Sequence, residues 1–517
     1  MEKVKPIVFY LIFFLFILAY CTGAGGYDYD LWARLIAGMG FVQGGHVLKQ
    51  DFLSYTPTHT WFDHEWGSGV IFYLVQHFFP TAGLIVLNAV LIFILFFIIT
   101  KIVNLRGVKV TTAYNFIFYL FAFLAIAINV MEPIRCQMFS FIFFALFIYI
   151  LELARKGQNR PLWLLPFIMI IWNNLHGGCV SGIGLICLYI LGEFLNKKMF
   201  KKYIFTLIPT ILVLVINPWG FSYLNFLIDA VTMKRPDIME WWGLFHKIHI
   251  HNFLIFKLFS LTMILTYLIS SVKNFSYKNI DKTKFLILSV TLYQAIIHIK
   301  MIPFFVISAT CFLYDDFYTL LDNIIKFIKQ KLKIPAEFFG EKFIVKKEFA
   351  IYCFIIICSI ATIHTNNLGI ILKSDKFAYK EIEFLKINNI KGNLFLNFGQ
   401  GSYAAYKLYP NIKIFMDGRY EEVYYNYMLP VMNEFYYSKV DNTKLMKKFP
   451  PDIMIIEKNY PVYKNLLKHK NWKLAYEGIF YGVFLNKKDL KKNYKLPSND
   501  RKYYKKTLFD TNINFKK

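Results

Sequence analysis

The sequence predicts a polytopic α-helical membrane protein of about 11 spans with a C-terminal extracytoplasmic α/β domain. Three observations lead there. Of 517 residues, 56% are hydrophobic and 19% aromatic, and they gather into apolar runs of about 17–22 residues, the length that crosses a hydrocarbon core of roughly 30 Å. The basic residues behind a net charge of +26 sit mostly in short loops between these runs, the pattern of positive cytoplasmic loops. Beyond residue 370 short strand-like runs alternate with helical stretches, as in a small α/β unit.

Lys3 and Lys5 precede the first run, 6–22, and place the N-terminus in the cytoplasm and the next loop outside. Ala19-Tyr-Cys21 has the outline of a lipoprotein cleavage site, but Tyr20 is too bulky beside the cysteine, so the run reads as an uncleaved span. The outer loop 23–79 ends in the apolar stretch 66–79, too short to cross and closed by Pro80, which reads as an interfacial helix. Further spans are expected at 82–101, 111–130, 134–154, 161–175, 178–195, 202–217, 251–271, 283–300, 302–320 and 347–365. The cluster Lys197/Lys198/Lys201/Lys202 and the dense run from Lys326 to Lys347 then fall inside. An odd number of crossings leaves the C-terminus outside, in a protein integral to the cytoplasmic (inner) membrane.

The chain divides into a membrane module (1–369), a soluble α/β unit (370–487) and a basic, partly disordered tail (488–517). Strands are expected at Leu394–Phe398, Lys413–Met416, Asp452–Ile456 and Ile479–Phe484, with helices near 376–387, 420–437 and 461–469. The cysteines number 7, lie in or beside apolar segments and form no C-x-x-C pair, so they read as small buried apolar residues. No nucleic-acid motif accompanies the positive charge, which leaves membrane lipid, not nucleic acid, as the expected partner.

Acids beside a bilayer are costly unless solvated, paired or used. The outer loop concentrates them: Asp28 and Asp30, then Asp51, then Asp63-His64-Glu65-Trp66. The same face collects Glu132 and Arg135, Asn173-Asn-Leu-His176-Gly-Gly178, Asn217-Pro-Trp-Gly220, the loop 233–250 and Lys300. From pattern alone Asp30 reads equally as the N-cap of the helix it precedes and as a catalytic carboxylate. Asp28-Tyr-Asp30 also matches a short D-x-D motif, without a nucleotide-binding fold around it.

The layout resembles the GT-C superfamily of polyprenyl-phosphate-sugar-dependent glycosyltransferases, which includes protein O-mannosyltransferases, the aminoarabinose transferases of lipid A and the oligosaccharyltransferase subunit. Asp30 followed by Leu-Trp-Ala-Arg-Leu-Ile-Ala-Gly-Met-Gly-Phe-Val-Gln-Gly-Gly45 is similar to the aspartate, helix and glycine turn of the aminoarabinose-transferase type. Uncharacterised bacterial GT-C-like proteins share Asp51-Phe-Leu-Ser-Tyr-Thr56, His64-Glu-Trp66, Asn174-Leu-His-Gly-Gly178, Gly399-Gln-Gly-Ser-Tyr403 and Asp417-Gly-Arg419.

That resemblance implies transfer of a sugar from a polyprenyl-phosphate donor to a glycan, lipid or protein acceptor at the extracytoplasmic face, inverting, with Asp30 as general base and Asp28 beside it. Arg34, Arg135, His176 and Lys300 are the candidates for holding the donor phosphate. Asp51, Asp63, His64, Glu65 and Glu132 are candidates for shaping the substrate sites. Each has a plain alternative: an Asp30–Arg34 helix pair, a snorkelling Lys300, a structural His176, a solvated loop at 63–65, and a paired β-turn at Asp417-Gly-Arg419. No metal set is assigned, although a divalent cation is compatible with the acids. A lipid-linked sugar transporter and a non-catalytic envelope scaffold are the rival readings.

Overall fold

The computed structural model describes residues 6–23, 28–80, 82–107, 113–127, 134–273, 280–331, 341–366, 377–438, 440–491, 493–497 and 509–515. Helices α1 (Pro6–Gly23), α2 (Leu31–Gly44), α3 (Trp66–Phe78), α4 (Gly83–Asn104), α5 (Ala113–Ala127), α6 (Gln137–Arg155) and α7 (Leu164–Leu175) come first. Then follow α8 (Val180–Leu195), α9 (Lys201–Leu212), α10 (Ser222–Thr232), α11 (Leu254–Lys273), α12 (Lys282–Ile297), α13 (Ile302–Lys331) and α14 (Glu341–Asn366). Every apolar run expected to span coincides with one of these helices. Among the described residues 5 helices are by themselves long and apolar enough to cross a membrane, with shorter apolar ones at Ile7–Thr22, Phe116–Ala127 and Ala350–Asn366.

α2 and α3, both in the outer loop, pack together backbone to backbone. A Cβ on Gly38 would collide with the Gly69 carbonyl, and one on Gly69 with the carbonyl of Arg34. The two glycines therefore set how closely α3 brings its start, with Glu65, to the first turn of α2. Trp32 is fully buried on another side of α2, its ring 4.8 Å from that of Tyr403 and 5.4 Å from that of Tyr406.

The C-terminal unit runs α15 (Tyr379–Ile387), β1 (Gly392–Phe395), α16 (Phe398–Leu408), β2 (Ile412–Ile414), α17 (Tyr420–Val423), α18 (Met428–Tyr437), α19 (Lys444–Lys448), β3 (Ile453–Glu457), α20 (Pro461–Leu467), β4 (Trp472–Glu477) and β5 (Tyr481–Asn486). The sheet order is β2-β1-β3-β5-β4. β1 is parallel to both β2 and β3, and β5 is antiparallel to β3 and β4. The outer loop of the membrane part covers the β2 edge. The Tyr55 amide donates to the Ile414 carbonyl and the Ile414 amide to that of Leu53, each at 3.0 Å. An exposed edge strand would otherwise leave these groups unpaired.

Several expectations change. Phe398 starts a helix instead of ending a strand, because Asn397 caps it through the Gly399 amide at 3.0 Å. β4 was not expected. Part of the tail is packed: Tyr406 donates to the Phe509 carbonyl at 2.8 Å, and Ile513 is buried. All cysteines are free, but Cys187 and Cys358 are exposed on apolar helices, so burial among protein atoms does not describe them.

Candidate functional site

Asp30 stands at the N-cap position of α2, yet its side chain makes no capping hydrogen bond. Instead its half-buried carboxyl faces a cavity of about 1350 Å³. Burial, reinforced by Asp28, raises the Asp30 pKa well above the usual carboxylate value against the pull of Arg135 and Arg34. Gly418 leaves the space that Asp30 occupies, since a Cβ there would strike Asp30 Oδ1.

Arg34, one turn into α2, turns away from Asp30. Its buried guanidinium pairs with Asp63, donates to Glu422 Oε1 and Oε2 at 2.8 and 2.9 Å, and lies 3.3 Å from Glu65 Oε2. In place of the alternative Asp30–Arg34 helix pair, Arg34 enters a cluster that joins the loop after α1 to α17. Glu422 also accepts from Trp61 Nε1 at 2.9 Å and lies 3.2 Å from His64 Nδ1. Burial opposes charge throughout; the partners prevail at Glu422 and His64, and burial prevails at Asp63. Arg34, then His64, hold Glu422 well below the ordinary range. Glu65 and Glu422 raise His64 to about 9. Asp63 is raised to about 6 because burial outweighs Arg34.

His176 closes the cluster from the turn between α7 and α8. Its Nδ1 accepts from the Gly178 amide at 2.9 Å and lies 2.7 Å from Ser140 Oγ, which itself accepts from Trp172 Nε1. An accepting Nδ1 leaves the proton on Nε2, which points at Glu65 Oε1 3.3 Å away. Burial lowers His176 to about 3, so it is neutral at ordinary pH. Arg34 and His176 are committed to carboxylates and turn groups, which disfavours the phosphate-holding role expected for them.

A second charged chain crosses the cavity. Asp28 accepts from Arg135 Nη2 at 2.7 Å, Arg135 Nη1 donates to Glu240, and Lys300 Nζ lies 3.8 Å from Glu240. The guanidinium therefore holds one acid of the D-x-D pair.

Eight expected residues line this one cavity: Asp28, Asp30, Arg34, His64, Glu65, Arg135, His176 and Lys300. Asp51 and Asp63 do not. Asp51 is buried against Arg419 Nη1 at 2.6 Å and caps the amide of Ser54 at 3.0 Å, a structural post in place of a substrate contact. Arg419 also bonds Asp417 at 2.9 Å and lies 4.6 Å from the Trp61 ring, which fixes the turn that presents Glu422. Glu132 lies outside the described residues. Sequence reasoning missed Glu422 and Glu240. The Asp417-Gly-Arg419 turn, three residues before Glu422, was the available pointer to the first.

His64, Glu65 and Glu422 present possible metal-ligand atoms within 4.8 Å of one another. A cation there would have to displace Arg34 from Glu422 or the proton from His64. The cavity lining draws on both parts of the chain: α6, α8, α12 and α13 contribute the apolar Phe141, Phe144, Leu188, Val290 and Phe304, and the C-terminal unit contributes Tyr420, Tyr437, Tyr460 and Glu457.

No family model and no curated protein matches the sequence. Solved structures do. The apo oligosaccharyltransferase of Archaeoglobus fulgidus superposes with a TM-score of 0.58 at 11% identity, covering 88% of this chain and 70% of that one. The oligosaccharyltransferase AglB of the same organism, in complex with an inhibitory peptide and a dolichol-phosphate, gives 0.55 at 9% identity, with 96% and 77% covered. At such identities the likeness is one of architecture: this chain shares the fold of these oligosaccharyltransferases, apolar helices carrying a small C-terminal mixed sheet.

Proposed function

We propose that this protein is a polyprenyl-phosphate-sugar-dependent glycosyltransferase acting at the extracytoplasmic face of the cytoplasmic membrane. The observation that carries the reading is the position of Asp30: a carboxyl that caps no helix, on a cavity lined both by apolar side chains of the membrane helices and by polar side chains of the C-terminal unit. The apolar side chains from the membrane helices suit a lipid tail, and the polar ones suit a sugar and its acceptor. AglB, of the same fold, has been seen with a dolichol-phosphate, which agrees with a lipid-linked donor here.

In the proposed step the acceptor hydroxyl or amine attacks the anomeric carbon while the bond from that carbon to the phosphate oxygen breaks. The acceptor proton passes to Asp30, and the polyprenyl phosphate departs with the bonding electrons. A single displacement inverts the anomeric centre. The raised pKa of Asp30 makes it a stronger base than an ordinary carboxylate. Arg135 and Lys300 face the departing phosphate and stabilise its charge. The Arg34 cluster holds the outer loop and α17 in register around the site. On this reading residues 1–369 bind the donor and 370–487 close the acceptor side.

The test is transfer from a panel of polyprenyl-phosphate sugars in nanodiscs, for wild type and Asp30→Asn. Acceptor-dependent sugar release lost in the variant supports the assignment. Full activity in Asp30→Asn refutes it.

A further inference from the structure

Glu240 is an acid that neither the fold nor the proposed displacement requires. It sits in a one-turn helix, Met239–Trp241, within the connection from α10 to α11. Its carboxylate is bonded by Arg135 Nη1 and lies 3.8 Å from Lys300 Nζ. The next residue, Trp241, has its ring 5.4 Å from Lys300 Nζ and 4.5 Å from the Arg235 guanidinium. Two cations from separate elements, the start of α6 and the turn before α13, thus converge on one carboxylate. They do so on the wall of the cavity, to which Met301 and Phe304, just after Lys300 in sequence, also contribute.

The partners of Arg135 differ in their setting. The Asp28 side chain is 7% exposed, whereas that of Glu240 is 36% exposed. The connection is anchored on both sides of Glu240. Arg235 Nη2 donates to Glu421 at 3.0 Å, and the Ile299 amide donates to the Trp242 carbonyl at 3.1 Å. Met239 and Trp241 are held at their carbonyls, by His249 Nε2 at 3.3 Å and His298 Nδ1 at 2.7 Å, so the Glu240 side chain is the part that has to swing for the carboxylate to leave. Arg135 would stay held by Asp28, so its guanidinium is kept aimed at whatever replaces Glu240.

Resting on the glycosyltransferase reading, we propose that Arg135 and Lys300 form the subsite for the phosphate of the lipid-linked donor, and that Glu240 fills it in the empty protein as an internal anion which the donor displaces. A phosphate brings more charge and more acceptor oxygens than a carboxylate, so the exchange keeps both cations paired. Arg135 and Lys300 hold the Glu240 pKa at about 2 against the effect of burial, so the placeholder remains charged across the working pH range. Glu240 then sets how tightly donor is held: the cost of parting it from Arg135 is subtracted from the affinity.

The experiment is binding of farnesyl phosphate, farnesol and inorganic phosphate to the full chain in nanodiscs, for wild type, Glu240→Gln, Glu240→Ala and Arg135→Gln. Both Glu240 variants should bind farnesyl phosphate about tenfold more tightly than wild type, a gain of roughly 1.4 kcal/mol, and Arg135→Gln should bind it more weakly. Wild-type binding that is unchanged or weakened in both Glu240 variants overturns the placeholder while leaving the donor class intact. No binding of farnesyl phosphate by wild type or any variant sinks the donor reading itself. Equal gains for inorganic phosphate would overturn a lipid headgroup as the intended occupant.

Discussion

Arg34 and Glu422 are 388 positions apart in sequence and meet through two buried hydrogen bonds of 2.8 and 2.9 Å. One belongs to the first turn of α2 and the other to α17 of the C-terminal unit. Because Asp63 and Glu65 share the same guanidinium, Arg34 is the counter-charge on which the junction depends. Arg34→Met would leave these acids buried together without it. We expect a loss of about 3–5 kcal/mol, as for other broken buried ion pairs, read as a lower midpoint in chemical unfolding in detergent. A midpoint within error of wild type would refute this.

Asp30→Asn should reduce transfer about 10²–10⁴-fold, the contribution of a positioned general base, while farnesyl phosphate binding persists. The base works unprotonated, and its pKa is raised. Activity of the wild type should therefore rise with pH through a limb above the ordinary carboxylate range. A limb near pH 4, or none, would argue against Asp30 as the titrating group.

Gly418→Ala separates the site from the fold. The added methyl meets Asp30 alone among nearby side chains. Stability should change by less than about 1 kcal/mol, whereas transfer should fall at least about tenfold as the carboxyl is displaced. Equal retention of both would show that Asp30 tolerates displacement.

His64 gives a pH signature of stability. Its pKa is raised to about 9 by Glu65 and Glu422, against an unfolded value of about 6.5. A raised folded pKa contributes stability that is fully present below about pH 6.5 and is lost as pH rises through 9. His64→Gln should remove that contribution, so the gap in Tm between wild type and variant is wide at pH 6 and narrows by pH 9.5. A gap that widens with pH would mean His64 is neutral in the fold.

Much of this arrangement is legible in the chain because apolar length and charge asymmetry are strong signals. The expected spans all fall on helices, and eight of the expected site residues line one cavity. What escaped did so for physical reasons. β4, Trp-Lys-Leu-Ala-Tyr-Glu, is an edge strand whose Lys473 and Glu477 face solvent and dilute its pattern. Gly399 and Gly401 weaken the helical signal at the start of α16, yet Gly401 is where the helix presses on the Met416 carbonyl. Glu421-Glu422 looks like the solvated face of a helix, and only the folded chain reveals that Glu422 is buried on Arg34. Asp51 misled in the opposite sense: an acid in a polar loop turned out to be the anchor of Arg419.

The separation of 388 positions between Arg34 and Glu422 also sets an order of events during synthesis. At roughly 5–20 residues per second, Glu422 leaves the ribosome about 20–80 s after Arg34. Over that interval Arg34 has Asp63 and Glu65 beside it without Glu422, and Leu53 and Tyr55 lack the strand they pair with. A chain that stops short of α17 keeps that surface open.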